Sequence, residues 1–234
     1  FIDKMYVILP FEKDYYKERG FEVNYVGHPL LDEIKKSKNE ILKNEKIIAL
    51  LPGSRDQEIN KILPKMLSVV KYFKEFKFII CAAPSQEKIK FDKYLKKFKT
   101  ENIEIVFDQT YSVLKKSSAA LVASGTATLE TALLDVPQVV CYKSSWISYR
   151  IGKYLVRNLK FISLVNLILN KEAIKELIQN ELNEKNLVKN LGLILENKGR
   201  EQIQNSYKQL RNKLGEYGAS KKTANLIVNY FENL

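Results

Sequence analysis

The sequence predicts an α/β chain: a parallel sheet flanked by helices on both faces, continued by a helical C-terminal segment. Three observations lead there. Short, nearly continuous apolar runs recur through the first 142 residues, amphipathic stretches fall between them, and beyond about residue 145 no further strand-like run appears. Strands buried on both faces read as unbroken apolar runs, and parallel strands need a crossover that is usually a helix.

Taken in order, MYVIL (5–9) and EVNYV (22–26) read as strands around a helix at 11–18. IIALL (47–51) is apolar throughout and stops at Pro52-Gly53, a turn signal. KFIIC (77–81), IEIVF (103–107), SAALV (118–122) and PQVVCY (137–142) are strands by the same β-branched and apolar content. Helical spacing covers 57–73, 86–98, 110–116 and 126–134, then 146–157, 172–180, 183–196, 200–214 and 219–233. The stretch DEIKKSKNEILKNEK (32–46) is charged, poor in apolar residues and follows the turn-like GHP. It reads as a linker between the tail of an upstream α/β domain (1–31) and a nearly complete second one (47–234). Phe1 leads straight into a strand-like run without an initiator Met, so the expectation is the C-terminal part of a longer protein.

The chain has 234 residues, 45% hydrophobic and 28% charged, which is ordinary globular composition. Its formal charge is +12. Such an excess points to nucleic acid, an anionic membrane or a phosphorylated substrate, or only to a solvated lysine-rich surface. The lysines are dispersed, which argues against a nucleic-acid-binding module. No apolar run approaches the roughly 18 residues of a spanning helix. Cys81 and Cys141 lie in strand-like runs and read as buried thiols in a reducing compartment. With His28 the only histidine, a Cys/His metal cluster is not available and no metal is expected. His28 itself, in VGHPLLD, reads as a structural residue of the junction rather than a catalytic one.

Ligands of open parallel sheets bind at the carboxyl ends of the strands, and three loops there carry chemistry. In LLPGSRDQEI (50–59), Gly53 permits close backbone approach, Ser54 precedes the helix, and Arg55 offers a planar fork for phosphate oxygens. The alternative is a plain turn whose Arg55 pairs with Glu58. In ASGTATLE (123–130), Gly125 lets a ligand touch backbone, and Ser124, Thr126 and Thr128 either cap the helix or donate hydroxyls to phosphate. Glu130 cannot bind phosphate but can accept two hydrogen bonds from a ribose diol; otherwise it only complements the helix dipole. In SLVNLILNKEAIKELIQN (163–180), Asn166 is an amide inside an apolar run and needs a specific partner, at a ligand or else in the core or a turn. A fourth segment, SSWISYRIGKYLVRN (144–158), places Trp146, Arg150, Lys153 and Arg157 on one helical stripe beside an apolar one. Such a helix lies on an anionic membrane surface or packs on the sheet.

VGHPLLD (26–32), LLPGSRDQEI (50–59), ASGTATLETALLDVPQVVCY (123–142) and SLVNLILN (163–170) together closely resemble bacterial lipid-A-disaccharide synthases, in order and over essentially the whole chain. The resemblance implies a GT-B fold, two Rossmann-like domains facing across a cleft, and an inverting glycosyltransferase without a metal or other cofactor. The implied donor is UDP-2,3-diacylglucosamine, the acceptor 2,3-diacylglucosamine 1-phosphate (lipid X), and the products the β-1,6-linked lipid A disaccharide 1-phosphate and UDP. It implies a cytoplasmic enzyme, peripheral at the inner face of a Gram-negative inner membrane. Oligomeric state, a homodimer included, is left open.

Matched residue by residue, Gly53, Ser54 and Arg55 fall on the family's Pro-Gly-Ser-Arg loop, and Ser124, Gly125, Thr126, Thr128 and Glu130 on its Ser-Gly-Thr-Ala-Thr-Leu-Glu loop. Asn166 falls on the asparagine of its Leu-Pro-Asn motif, and Gln179 on the glutamine closing its Pro-Glu-Leu-Leu-Gln stretch. All are expected at UDP, with Arg55 stabilising the leaving diphosphate. Val165 and Lys175 replace two family prolines, which loosens the backbone around Asn166 and Gln179. The family's general base is expected upstream of Phe1, so the chain alone is expected to bind UDP without making disaccharide. Two other readings stay open: a different GT-B enzyme of UDP-sugars, such as a UDP-GlcNAc epimerase, and a basic nucleic-acid-binding module.

Overall fold

The computed structural model describes residues 2–36, 46–98, 101–144 and 160–233. The main sheet has six parallel strands: β3 (Ile47–Leu51), β4 (Lys77–Ala82), β5 (Ile103–Phe107), β6 (Ala119–Ala123), β7 (Gln138–Tyr142) and β8 (Lys175–Ile178). Their spatial order is β5-β4-β3-β6-β7-β8. The central strands are buried along their whole length, which is why their sequences do not alternate. Leu50 lies opposite Ile80 and Leu121, all at 0% exposure, and each such side chain contributes roughly 1.5–3 kcal/mol of transfer free energy. A separate two-stranded parallel ribbon, β1 (Tyr6–Val7) with β2 (Asn24–Tyr25), covers only parts of the two expected strands.

Helices α3 (Asp56–Leu67), α4 (Ile89–Phe98), α5 (Thr110–Lys116) and α6 (Thr126–Leu133) make the crossovers. Right-handed connection places α3 and α4 on one face and α5 and α6 on the other, because the chain reverses its direction of travel after β5. Beyond β7 come α7 (Leu164–Leu169), α8 (Glu184–Leu195), α9 (Asn197–Leu214) and α10 (Ala219–Glu232). Helix α8 packs beside α3, and α9 beside α6, α7 and α8.

The structure departs from the sequence expectation at four places. The expected helix 57–73 ends at Leu67 and gives way to a 3₁₀ turn at Val70–Tyr72. Residues 29–36 form a helix, α2 (Pro29–Lys36), so the charged stretch expected as linker is helical at its start. Leu31 and Ile34 bury its one apolar face, and residues 37–45 lie outside the described residues. Residues 164–169 are helical, with Ser163 as N-cap accepting from the Asn166 amide. The expected helix 172–180 is instead strand β8, paired to β7 in the register Val140–Glu176 and Cys141–Leu177. Its spacing fits a helix, but the free edge of β7 and the buried anchorage of Glu176 outweigh propensity. The helix expected at 146–157, with its membrane-facing stripe, lies outside the described residues.

The first and last parts of the chain are tied together. The Tyr25 hydroxyl donates to Leu214 O (2.7 Å), Lys222 donates to Tyr25 O (3.0 Å), and Asp32 accepts from the Gly218 and Ser220 amides. His28 is buried in this junction with Nδ1 accepting from the Leu30 amide, and burial holds its pKa below the usual value, with Glu12 acting weakly the other way. Cys81 and Cys141 are free and buried, and burial pushes the Cys81 thiol up to about 12. Neither thiol should react with an alkylating agent in the folded chain at pH 8, because almost no thiolate exists there. Mass spectrometry showing rapid double labelling before unfolding would contradict this.

Candidate nucleotide site

Strand β3 sends its crossover toward β4, whereas β6, its other neighbour, sends its own toward β7. The loops leaving β3 and β6 therefore diverge and open a crevice between them at the carboxyl edge of the sheet. A cleft of about 430 Å³ lies there, lined by Gly53, Ser54 and Arg55 from the first loop and Ser124, Gly125, Thr126 and Glu130 from the second. Seven of the ten residues expected at the ligand thus meet in one cavity.

The first loop is held in a shape only glycine adopts freely. Gly53 has φ +101°, and a Cβ there would stand 2.5 Å from Glu58 Oε2. Gln86 donates to Ser54 O (2.7 Å), which pins the loop to the segment after β4. Arg55 lies at the N-cap of α3 with its guanidinium on Glu58 Oε1 at 2.9 Å. Its side chain is 80% exposed. The pairing expected as the alternative to ligand binding is therefore present, in a form that leaves the guanidinium accessible.

In the second loop, no side chain caps α6, whose N-cap is Gly125. The Thr128 hydroxyl, fully buried, donates back to Gly125 O at 2.7 Å and stabilises the turn rather than facing the cleft. Ser124 Oγ donates to Ile162 O at 3.1 Å, and Thr126 is exposed at the helix start. The uncapped end presents orphan amides and the positive end of the helix dipole to the cleft. One turn in, Glu130 is partly buried, and its carboxylate makes no hydrogen bond or ion pair with any described residue. Desolvation raises its pKa above the usual carboxylate value. Burial and the nearby carboxylates Glu130 and Glu33 push the Tyr111 phenol up to about 12.

Asn166 does not line this cleft. It is fully buried, donating to Ile174 O and Glu176 Oε1 (both 2.8 Å) and accepting from the Ala173 and Ile174 amides (2.8 and 3.0 Å). Both amide hydrogens and the oxygen's two lone pairs are used. Glu176, which the sequence reading did not single out, is the hub: it also accepts from the Ile162 amide, the Ser163 amide and Ser163 Oγ at 3.0, 2.9 and 2.7 Å. A chain of contacts runs from Asn166 through Glu176 to the 160–163 loop and on to Ser124, so Asn166 acts on the cleft at one remove. Gln179, just after β8 at φ +53°, donates to Ser144 Oγ (3.0 Å) beside a second cleft. The signal for Glu176 was a carboxylate inside an apolar KELI, which is costly unless hydrogen-bonded.

A family model described as lipid-A-disaccharide synthetase matches residues 1–229. The chain belongs to the lipid-A-disaccharide synthase family. It is 36% identical over 236 residues to a lipid-A-disaccharide synthase of Syntrophus aciditrophicus, covering 95% of this chain and 61% of that protein. The synthase of Francisella philomiragia is 39% identical, over 85% of this chain and 56% of the relative. The synthase of Persephonella marina is 36% identical, with 97% and 65% covered. The chain thus spans about three fifths of the length of these curated relatives.

Among solved structures, a putative UDP-N-acetylglucosamine 2-epimerase of Listeria monocytogenes superposes with TM-score 0.68 at 16% identity, covering 99% of this chain and 60% of that one. A UDP co-structure of S. aureus MnaA gives 0.67 at 15%, with 99% and 60% covered. The glycotransferase of kitacinnamycin gives 0.61 at 11%, with 97% and 54% covered. These likenesses carry the fold alone, an α/β architecture of the GT-B kind. In the synthase family frame, the glycine-containing loops after β3 and β6 are two of the four motifs on which the sequence resemblance rested. Among the described residues no helix is long and apolar enough to cross a membrane, and no group of three or more His, Cys, Asp or Glu residues could hold a metal ion.

Proposed function

We propose that the chain carries the donor-nucleotide site of a lipid-A-disaccharide synthase. Such an enzyme transfers 2,3-diacylglucosamine from UDP-2,3-diacylglucosamine to lipid X and releases UDP. The observation that carries this reading is the convergence, in one cleft, of an uncapped helix start, an accessible arginine and a carboxylate without a partner. The α6 amides and Arg55 are donors for a diphosphate; Glu130 is an acceptor for a ribose diol. Together they recognise the two halves of a nucleoside diphosphate.

In the reaction, negative charge develops on the diphosphate as the glycosidic bond to the donor sugar breaks. Arg55 and the loop amides stabilise that charge, and fixed donors in a partly dry cleft do so without reorganising. The acceptor 6-hydroxyl needs a general base, which this reading places outside the chain, in the remaining length of the relatives. Residues 47–234 are the donor domain and residues 1–31 part of the acceptor-side domain. The acylated substrates place the protein peripherally at the inner face of the membrane.

Glu130→Gln tests the reading. It should weaken UDP binding about tenfold, the loss of a charge-assisted acceptor, while leaving affinity for pyrophosphate unchanged in calorimetry. It should also raise the melting temperature near pH 7. The folded-state pKa of Glu130 is raised, so the group's stabilising influence is complete below its ordinary carboxylate value and is lost as pH rises through the folded value. At pH 7 the wild-type chain holds a desolvated charge that the glutamine lacks. Equal losses for UDP and pyrophosphate would remove Glu130 from the ribose.

A further inference from the structure

Helix α6 carries the amides at its start and, one turn in, the carboxylate of Glu130. It is short, eight residues or roughly 12 Å long, and no side chain caps its start. Its other end is tied to α9. The chain leaves α6 through a turn in which the Val136 amide donates to Thr131 O and the Asp135 amide to Ala132 O, both at 3.1 Å. Asp135 sits there at φ +61°, the left-handed conformation that usually falls to glycine or asparagine at a helix end. Arg211 of α9 secures this turn from outside. Its Nη2 donates to Leu133 O at 3.1 Å and, more weakly, to Ala132 O at 3.5 Å, and it pairs with Asp135 Oδ1 at 2.8 Å. One turn earlier on α9, the fully buried Tyr207 hydroxyl donates to Val136 O at 3.0 Å and accepts from Gln138 Nε2 at 3.1 Å. The same Nε2 donates to Thr128 O, in the body of α6, at 2.9 Å. Lys213, two residues beyond Arg211, donates to Ile168 O at 3.1 Å, in the last turn of α7. Cations are favourable at helix C-termini in general, so stability explains part of this arrangement. The asymmetry of α6 adds something else. Between β6 and the guanidinium, a two-turn helix behaves as a rod, and a shift at its tied end is delivered at its open one.

We propose that Arg211 is a positioning residue of the nucleotide site, acting through α6: it holds the helix so that the first amides and Glu130 stand where the ligand needs them. The guanidinium lies at the far end of the helix from the cleft and touches no ligand. Hydrogen bonds weaken steeply with misalignment, and a binding constellation must be held to within about 0.5 Å. Without the guanidinium, the carbonyls of Ala132 and Leu133 lose their side-chain donor, and the left-handed turn at Asp135 loses its counter-charge. The last turn of α6 then relaxes toward water and the helix moves with it. The ion pair itself is the lesser part. Both of its side chains are 32% exposed, and exposed pairs contribute little; the bonds to the carbonyls are what join α9 to α6. The proposal rests on the donor-site reading for the ligand that α6 faces, and its own content is that a residue outside the cleft sets the affinity of the cleft.

The test compares three variants of the whole chain by calorimetry with UDP, at a temperature where each is fully folded. Arg211→Met keeps the aliphatic stem and removes the cation and its donors. It should weaken UDP binding at least about fivefold, the low end for coupling between separate sites. Arg211→Lys still brings a cation and a donor to the last carbonyls of α6 and should return affinity to within about twofold of the wild type. Asp135→Asn separates positioning from stability. Asparagine tolerates the left-handed turn and leaves the carbonyl bonds in place, so the ion pair is lost while UDP affinity stays within about twofold. Equal losses of affinity in Arg211→Met and Asp135→Asn, or an unchanged affinity in an Arg211→Met chain that melts lower, would reduce Arg211 to a structural residue. Should Arg211→Met fail to fold, Arg211→Gln takes its place under the same criteria. Amide NMR of the chain without ligand gives the second readout. The Gly125, Thr126 and Ala127 resonances should move in Arg211→Met and stay in place in Asp135→Asn; changes confined to residues 131–136 would overturn the proposal. If the wild-type chain fails to bind UDP, the donor reading falls, and the NMR shifts alone decide for or against Arg211.

Discussion

Glu176→Ala should destabilise the chain by about 4 kcal/mol, within the range for removing one partner of a buried charged network. At roughly 2–4 °C per kcal/mol for a chain of this size, the melting temperature falls by about 8–16 °C. The carboxylate accepts from two backbone amides, one hydroxyl and the Asn166 side chain. Alanine leaves all four donors facing an empty, mostly dry space. The loss is not confined to β8, because Ile162 and Ser163 belong to the loop that holds Ser124. UDP affinity should therefore fall even at temperatures where the variant is folded. Glu176→Gln keeps one oxygen as acceptor for Ser163 and Asn166 but turns its amide NH2 toward the Ile162 N–H, so its cost should be intermediate. Asn166→Ala should follow the same pattern, stability first and UDP affinity second. A Glu176→Ala chain that melts within 2 °C of the wild type would show that the four hydrogen bonds are not a structural hub.

Arg55→Ala should weaken UDP binding about 10- to 150-fold, equivalent to roughly 1.5–3 kcal/mol for hydrogen bonds to a charged group. The competing interaction is the ion pair with Glu58, and the magnitudes decide between them. A pair whose arginine is 80% exposed contributes about 0–1 kcal/mol. A diphosphate offering two or more oxygens to the planar fork exceeds that. The guanidinium should therefore leave Glu58, or bridge it, when nucleotide arrives. The folded state should lose almost nothing from Arg55→Ala, and the melting temperature should stay within about 2 °C. Glu58→Gln should act in the opposite direction, strengthening UDP binding two- to fivefold by removing a nearby negative charge. Calorimetry giving Arg55→Ala the wild-type affinity would take the arginine out of the site.

Strands β3, β4, β6 and β7 were legible because burial on both faces leaves mostly apolar side chains, and the ends of β3 and β6 were marked by Pro52-Gly53 and Ser124-Gly125. Seven of the expected site residues meet in the cleft for a topological reason: strand order puts β3 beside β6, and their loops alone diverge. Asn166 and Glu176 were not legible in the same way. Asn166 looks identical in sequence whether it touches a ligand or a neighbouring backbone. Strand β8 has helical spacing, and only its pairing with β7 overrides that. Helix α2 was hidden by its charge, since only Leu31 and Ile34 are buried.

The ties between the two ends of the chain also set a timetable for synthesis. Tyr25 waits for Leu214 and Lys222, partners 189 and 197 residues further on. At roughly 5–20 residues per second on the ribosome, that interval is about 10–40 s. Throughout it, the ribbon β1–β2 lacks the later segments that bond to it, and α2 lacks α10, one of the two helices it packs on. The central sheet can assemble meanwhile, since β3 to β8 span residues 47 to 178. The amino-terminal segment cannot complete its packing until α10 emerges, so nascent chains halted shortly before residue 214 should be strong clients for chaperones that hold exposed apolar surface.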